Sequence, residues 1–171
     1  MVDLSGSEDF GSQGRSKREV AAEVCAMMAF GAVQNNDPVG LILFSDQVET
    51  FIPPKKGRRH VLRCIRELFT AEPASRQTDL AAAFRYLLRL LRRRSIVVCV
   101  SDFFDDGYAP MVRAAAQRHD TVAVEVVDPR EESLPEVGLL DLTDAETGEI
   151  VERLGASNRD AHFDAIRFLE S

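Results

Sequence analysis

Hydrophobic and polar residues alternate along this chain with two different periods, which predict strands and helices in turn. Short apolar runs bounded by turn residues are typical of strands buried in a parallel sheet, and they lie at 39–44, 96–100 and 121–127. Apolar residues recur at three- and four-residue steps in four other segments, which predicts helices at 16–34, 58–69, 79–94 and 110–118. The connections are short, so the pattern predicts an α/β fold with a mostly parallel sheet between two helical layers.

Two further segments refine this prediction. Val48, Thr50 and Ile52 alternate with polar or exposed neighbours, which predicts a half-buried antiparallel edge strand that ends at Pro53 and Pro54. Near the end of the chain, two strand-like segments at 139–142 and 149–154 flank a turn, which predicts a hairpin. A closing helix at 161–169 is expected after Ser157 as its cap.

The first predicted helix has a polar face that includes Lys17, opposite apolar positions such as Val20 and Val24. It ends at a turn that contains Asn35 and Asn36, because asparagine tolerates left-handed backbone angles and Pro38 cannot continue a helix.

Composition indicates one soluble domain that spans residues 1–171. With 45% hydrophobic and 29% charged residues, the chain is long enough to bury a core. The 21 basic and 28 acidic side chains give a net charge of -7, which argues against a nucleic-acid partner. We find no apolar run of the roughly 20 residues that a membrane helix needs and no signal segment, so we expect a cytoplasmic protein.

The cysteines and the first residues add two expectations. Cys25, Cys64 and Cys99 are far apart and lie in apolar patterns, so we expect reduced core thiols rather than disulfides or a zinc site. Only Met1 and Val2 precede the first polar motif, whereas a buried strand usually has about five or six residues. We therefore expect the chain to be a fragment of a longer protein that lacks N-terminal residues. Membrane helices in that missing part would place the domain on the cytoplasmic face of a membrane.

Candidate metal ligands follow two predicted strands and precede one helix. Asp3, Ser5 and Ser7 lie on alternate residues, Asp102 follows the strand at 96–100, and Thr78 lies in the loop before the helix at 79–94. Each segment alone is ordinary, because Ser, Thr and Asp are common in turns and helix caps. Together they would meet at the carboxyl edge of the sheet. An all-oxygen set suits Mg²⁺ or Mn²⁺ rather than zinc.

These residues match the three segments of the metal-ion-dependent adhesion site of von Willebrand factor type A domains. The chain also resembles the bacterial domain-of-unknown-function family 58 over nearly its whole length, in a series of ordered blocks: 17–19, 21–23, 37–46, 53–63, 92–97, 101–103 and 128–131. The resemblance implies a von Willebrand factor A-like, doubly wound sheet with one antiparallel edge strand.

The resemblance also implies roles for the candidate ligands. Ser5, Ser7 and Thr78 would bind the ion through their hydroxyls, and Asp3 and Asp102 directly or through water. The site would dock an Asp or Glu of a partner without turnover, and the implied partner is a MoxR-type AAA+ ATPase that acts in assembly or maturation of other proteins. Two departures stand out: Glu8 follows the second serine, where a small or apolar residue is common, and Arg76 replaces a frequent glycine.

Two other classes of function stay open at this point. A metal-dependent phosphoester hydrolase would need a general base beside the ion, for which Glu8, Asp9 and Asp105 are the candidates. A basic-patch binding module would use two clusters of positive side chains: Lys55, Lys56, Arg58, Arg59 and Arg63, and Arg92, Arg93 and Arg94. The second cluster also suits the end of a helix, where arginine favours the helix dipole. We find no glycine-rich motif for nucleotides.

Overall fold

The structure, a computed structural model, describes residues 1–5, 16–127, 139–143 and 150–154. The elements in these ranges follow one another in this order: β1 (Val2–Asp3), α1 (Lys17–Gln34), β2 (Val39–Phe44), β3 (Val48–Lys55), α2 (Arg58–Thr70), α3 (Leu80–Leu90), β4 (Ile96–Ser101), α4 (Ala109–Arg118), β5 (Asp120–Glu125), β6 (Leu139–Thr143) and β7 (Ile150–Leu154).

The first five strands form one sheet with the order β3-β2-β1-β4-β5. β1 lies at its centre and pairs in parallel with β2 and β4, β5 pairs in parallel with β4, and β3 is antiparallel to β2. This arrangement confirms the predicted fold class, a mostly parallel sheet with one antiparallel edge strand.

Helices cover both faces of the sheet. Successive side chains of each buried strand point to opposite sides, so each strand packs against both helical layers. On one face, Leu43 and Val100 pack with Ala22 of α1 and Leu68 of α2. The opposite face has its own buried cluster, which contains Phe44, Cys99, Leu80, Ala83, Phe84 and Ala115. The apolar runs of β2 and β4 therefore contribute to two cores at once, as expected for strands buried on both faces.

The edge strand β3 does not end at its prolines, as the sequence predicts, but continues through Pro53 and Pro54 to Lys55. Its pairing with β2 shifts between Val39 and Leu41, next to Gly40. Proline lacks a backbone N–H, yet an edge strand with an irregular ladder can accommodate it. A Cβ on Gly40 would lie 3.0 Å from both Ile52 O and Pro54 Cγ, so glycine lets the two strands approach here.

The end of α3 and the burial of β5 also differ from the sequence prediction. α3 ends at Leu90, so residues 92–94 lie in the connection to β4 and not in the helix. The segment 121–127 was predicted as a buried strand, but β5 ends at Glu125 and its Val122 is 48% exposed. The reason is position, since β5 is the end strand of this sheet and pairs with β4 alone among the described residues.

The helix predicted from residue 16 is confirmed as α1, and the structure adds a capping box of Ser16 and Glu19 at its start. The turn predicted after this helix is also confirmed, since Asn36 has a φ of 57°. β6 and β7 form the predicted antiparallel hairpin. All three cysteines are free, and none of the helices described is long and apolar enough to cross a bilayer. The closing helix predicted at 161–169 lies outside the described residues.

Candidate metal centre

The predicted site residues leave the sheet where the chain reverses the order of its strands. β1 is followed by β2 on one side, and β4 then pairs with β1 on the other side. Val2 lies opposite Val100 in the register, so the carboxyl ends of β1 and β4 lie next to each other. In open α/β sheets this reversal point is the usual position of a ligand.

Asp3 is the buried centre of this edge, with a side chain only 1% exposed. Its Oδ1 accepts a hydrogen bond of 2.9 Å from the backbone N–H of Ser5, and its Oδ2 accepts one of 2.7 Å from the hydroxyl of Ser101. Ser5 is itself fully buried. The two serines therefore fix the carboxylate from both sides while leaving further lone pairs on its oxygens.

The environment of Asp3 is costly for a negative charge. Burial is the largest effect, and the pKa of its carboxyl is raised from 3.8 to about 6. The hydrogen bonds from Ser5 and Ser101 lower this pKa, whereas the negative charge of Asp102 raises it. A cation placed beside Asp3 would recover part of this cost, because an opposite charge favours the ionised form.

Asp102 already has a cationic neighbour. Lys17 Nζ lies 3.4 Å from Asp102 Oδ2, and each of the two side chains is 2% exposed. The other carboxylate oxygen accepts a hydrogen bond of 3.1 Å from the N–H of Phe104, whose ring centroid is 5.9 Å from the lysine ammonium. A fully buried ion pair is thus part of this edge.

The burial of Lys17 shows that the predicted polar face of α1 was wrong at this position. The sequence assigns Lys17 to the polar face of α1, but it is 3% exposed, whereas Val20 on the supposed apolar face is 38% exposed. The first turn of α1 lies over the ends of the strands, so its orientation is set by that position and not by the apolar stripe. The sequence contains one indication of this ion pair. A cation in the first turn of a helix is unfavourable for the helix dipole, so Lys17 needs a negatively charged partner elsewhere.

Thr78 lies in the loop before α3, and two hydrogen bonds tie this loop to the same edge. The N–H of Asp79 donates to Ser45 O after β2 at 3.1 Å, and the N–H of Leu80 donates to Asp105 Oδ2 after β4 at 2.7 Å. Asp79 caps α3 through a 2.6 Å bond from the N–H of Ala82. The hydroxyl of Thr78 is buried and has no hydrogen-bond partner within the described part of the chain.

An acidic cleft of about 580 Å³ lies beside this loop. Thr78 is one of the residues that line it, and the others are mostly charged or polar: Asp46, Gln77, Asp79, Ala81, Arg85, Asp105 and Asp106. Arg85 is the basic member and lies 3.5 Å from Asp79. Any anionic group that approaches Thr78 through this cleft therefore meets a negative surface.

The structure brings some predicted ligands together and leaves others apart or outside. Asp3 and Ser5 are in direct contact, Asp102 lies in the loop that follows Ser101, and Thr78 is held in the adjacent loop by the bonds described above. Ser7, with Glu8 and Asp9, lies outside the described residues. Sequence reasoning missed Ser101 and Lys17 as members of the site; Ser101 could have been found as the last residue of the strand that pairs with β1.

The residues present fit a hard divalent cation. Within residues 1–5, 16–127 and the two hairpin strands, no three side chains of His, Cys, Asp or Glu gather as a metal group, so a metal here would depend on hydroxyls as well as on the two carboxylates. The oxygen donors, the buried Asp3 and the hydroxyl of Thr78, which has no partner among the described residues, suit such an ion. Lys17 would share Asp102 with it or move aside.

Comparisons with known proteins place this fold among bacterial proteins. The family model described as "Protein of unknown function DUF58" matches residues 1–165. Uncharacterised proteins of Mycobacterium tuberculosis (strain H37Rv) and Mycobacterium bovis are each 36% identical over 155 residues, which is 89% of this chain and 49% of theirs. The chain thus spans about half the length of these curated relatives.

Two solved structures share the fold. One is an aerotolerance-related membrane protein from Bacteroides fragilis carrying multiple mutations to serine, with a TM-score of 0.64 and 18% identity over 90% of this chain and 78% of that one. The other is the conserved hypothetical protein BatB from Bacteroides thetaiotaomicron, with a TM-score of 0.64 and 15% identity over 90% of this chain and 77% of that one. At these identities the similarity establishes the fold alone.

Proposed function

The chain belongs to the DUF58 family of proteins of unknown function, and we propose that this domain is a metal-dependent protein-interaction module. The proposed ligands of Mg²⁺ or Mn²⁺ are the five residues predicted from the sequence: Asp3, Ser5, Ser7, Thr78 and Asp102. The ion would dock an Asp or Glu of a partner protein without turnover, so the domain would be an adaptor and not an enzyme.

One observation carries the proposal: two buried carboxylates, those of Asp3 and Asp102, lie at or directly after the ends of the adjacent parallel strands β1 and β4. Ser101 donates to Asp3 at 2.7 Å and is followed directly by Asp102. Lys17 compensates the charge of Asp102, but Asp3 has no ion pair among the described residues, so its charge loses hydration without a cation to offset the loss. Stability alone does not call for such a pair, and a cation site is the function that best accounts for it.

The bound ion would supply positive charge and a coordination position for a partner's carboxylate. The residues of the chain set the charge of that site. Asp3 and Asp102 with Lys17 carry one net negative charge when both acids are ionised, and a divalent ion would convert this to one net positive charge. A partner's carboxylate would therefore be attracted when the metal is present and repelled when it is absent, and the acidic cleft beside Thr78 strengthens that repulsion.

The proposed partner is a MoxR-type AAA+ ATPase, and the proposed role is assembly or maturation of other proteins in the cytoplasm. This part rests on the resemblance to the family and not on a contact in the structure. A pull-down of the full-length protein in Mg²⁺ and in chelator tests it. We expect the ATPase to be retained in Mg²⁺, lost with chelator, and lost in Asp3→Ala.

Asp37→Ala is the matched control for that experiment, because Asp37 is exposed and lies before β2, at the amino edge of the sheet. It should retain the partner as the wild type does. Retention that is the same in Mg²⁺ and chelator would contradict a metal-dependent contact, and retention of other proteins without the ATPase would contradict the partner.

Of the hydrolase candidates, Asp105 is the one the structure describes. Its carboxylate accepts the N–H of Leu80 at the start of α3, and burial raises the pKa of its carboxyl. This contact gives Asp105 a structural role at the helix terminus, so no observation favours hydrolysis over docking. We expect no turnover across a panel of phosphoesters in Mg²⁺ or Mn²⁺.

A further inference from the structure

A second, basic cleft lies at the opposite edge of the sheet, where β4 and β5 begin. It has a volume of about 430 Å³, and its charged lining comes from the connection after α3 and the end of α4. The N–H of Asp120 donates to Ser95 O at 2.9 Å, which holds the two connections side by side. The amino and carboxyl ends of parallel strands lie at opposite edges, so this cleft is separate from the candidate metal centre.

The cleft concentrates positive charge in an otherwise acidic protein. Four arginines line it: Arg92, Arg93, Arg94 and Arg118. Arg94 forms a two-point contact with Asp120, in which Nη2 and Nε lie 2.6 and 3.3 Å from the two carboxylate oxygens. In the ranges that the structure describes, the other three arginines have no ion pair. Three guanidinium groups thus remain available around one cavity.

Helix dipoles do not account for this cluster. Arg118 lies in the last turn of α4, where a cation is favourable. Residues 92–94, however, lie beyond the end of α3 at Leu90, in the connection to β4. Their positive charges repel each other and that of Arg118, and an anion in the cavity would offset that repulsion.

His119 gives the second, independent indication of a ligand. This residue follows α4, lines the same cleft, and is only 3% exposed. Both of its ring nitrogens are buried, and neither has a hydrogen-bond partner in the described part of the chain. Buried polar atoms in folded proteins are nearly always paired, so two ring nitrogens without a partner among the described residues, on a side chain that lines a cavity, mark a position for a hydrogen-bonding group.

The lining also limits the chemistry of the ligand. Guanidinium groups bind phosphate oxygens through two parallel N–H bonds, and an imidazole N–H adds a further donor. Leu88 and Leu91 contribute an apolar wall, and the volume falls in the range of small-molecule sites. A phosphate group with a compact body fits this combination of donors and apolar surface.

We propose that the cleft between the beginnings of β4 and β5 binds a small phosphate-bearing anion, which contacts His119 and the unpaired arginines. The site is independent of the proposed metal centre and of its function. Inorganic pyrophosphate and adenosine monophosphate are suitable probes, since they share the phosphate and differ in the body attached to it.

Titration of the protein with each probe tests the proposal, in chelator and at constant ionic strength set with chloride. The ¹⁵N resonances of the His119 ring report the contact, and calorimetry reports the affinity. We expect the ring resonances to shift with saturation. Arg118→Gln should weaken binding about tenfold, which corresponds to about 1.4 kcal/mol.

Matched variants separate a site from general attraction. Arg63→Gln removes the same charge from an exposed position on α2, in the other basic cluster, and should change the affinity less than about twofold, well below the tenfold criterion. His119→Phe should abolish the tight binding, and if it does not fold, the exposed Arg118→Gln still decides the question. Tighter binding of adenosine monophosphate than of inorganic pyrophosphate would assign a role to the leucine wall.

Three results would overturn the proposal. The first is the absence of any shift of the His119 ring at saturating probe. The second is equal weakening by Arg118→Gln and Arg63→Gln, which indicates attraction by overall charge. The third is preferential binding of a duplex oligonucleotide that leaves the His119 ring unchanged, which would make this surface a weak nucleic-acid patch instead of a small-anion site.

Discussion

Replacing Asp3 with Asn should stabilise the metal-free protein at neutral pH and remove any stabilisation by Mg²⁺. Asp3 is 1% exposed as a residue, and burial is the main cause that raises the pKa of its carboxyl from 3.8 to about 6. The amide of Asn carries no charge and can keep both contacts, because its oxygen can accept from Ser5 N–H while its NH₂ donates to the rotated hydroxyl of Ser101.

The sign of the pH dependence follows from the raised pKa. Between about pH 4 and pH 6 the folded protein keeps the proton on Asp3 while the unfolded chain releases it, so the free energy of unfolding falls as pH rises through this window. Below the window the charge contributes no penalty. Above it, the difference between the two pKa values corresponds to a destabilisation of ~3 kcal/mol as an upper value.

Urea unfolding in chelator, followed by far-ultraviolet circular dichroism, measures this effect. The difference between Asp3→Asn and wild type should be near zero at the acid end of the window and should grow to ~1–3 kcal/mol in favour of the variant at neutral pH. Saturating Mg²⁺ should then stabilise the wild type by ~2.7 kcal/mol at a hundredfold excess over the dissociation constant, and the variant not at all. Asp37→Asn should follow the wild type throughout.

A variant that is less stable than the wild type at neutral pH in chelator would refute the reasoning. So would a stability difference that does not change with pH, because it would show that the charge of the buried carboxylate is not the source of the penalty.

Three further substitutions test other parts of the account, each by urea unfolding in chelator and by Mn²⁺ titration where the site is concerned. Lys17→Met leaves Asp102 buried without its cation and should destabilise the metal-free protein by ~3–5 kcal/mol, with a larger recovery on adding Mn²⁺ than in the wild type; equal recovery would contradict a shared Asp102. Thr78→Val removes a buried hydroxyl that has no partner within the described ranges, and it should leave the metal-free stability within ~1 kcal/mol while weakening Mn²⁺ binding about tenfold; unchanged Mn²⁺ affinity would remove Thr78 from the site. Gly40→Ala places a Cβ 3.0 Å from Ile52 O and should destabilise by ~1–3 kcal/mol, and a neutral result would show that β3 can move aside.

The sequence predicts the elements that are specified by a local pattern of residues. β2 and β4 are continuous apolar runs, which are typical of strands buried on both faces, and the structure places each between two helical layers. The helix α1 was likewise predicted from its own periodicity, which begins at residue 16. Asp3 and Asp102 could be identified because Asp3 ends β1 and Asp102 directly follows β4, and parallel strands bring such positions to one edge.

Other features depend on neighbours that the sequence pattern does not specify. Pro53 and Pro54 end most strands, and they are tolerated here because β3 is an edge strand with an irregular ladder. Lys17 is buried because the first turn of α1 lies over the strand ends, a placement that the polar and apolar faces predicted for α1 do not reveal. The exposure of Val122 likewise follows from the position of β5 in the strand order.

The most direct test of the central claim is the number of Mn²⁺ ions bound, measured by electron paramagnetic resonance of free Mn²⁺ and by calorimetry. The account predicts one ion per chain for the wild type and for Asp37→Ala, and no bound ion at the same concentrations for Asp3→Ala or Asp102→Ala. Circular dichroism should show all four proteins folded. No binding by the wild type, or equal binding by all four proteins, would contradict a metal centre at the carboxyl ends of β1 and β4.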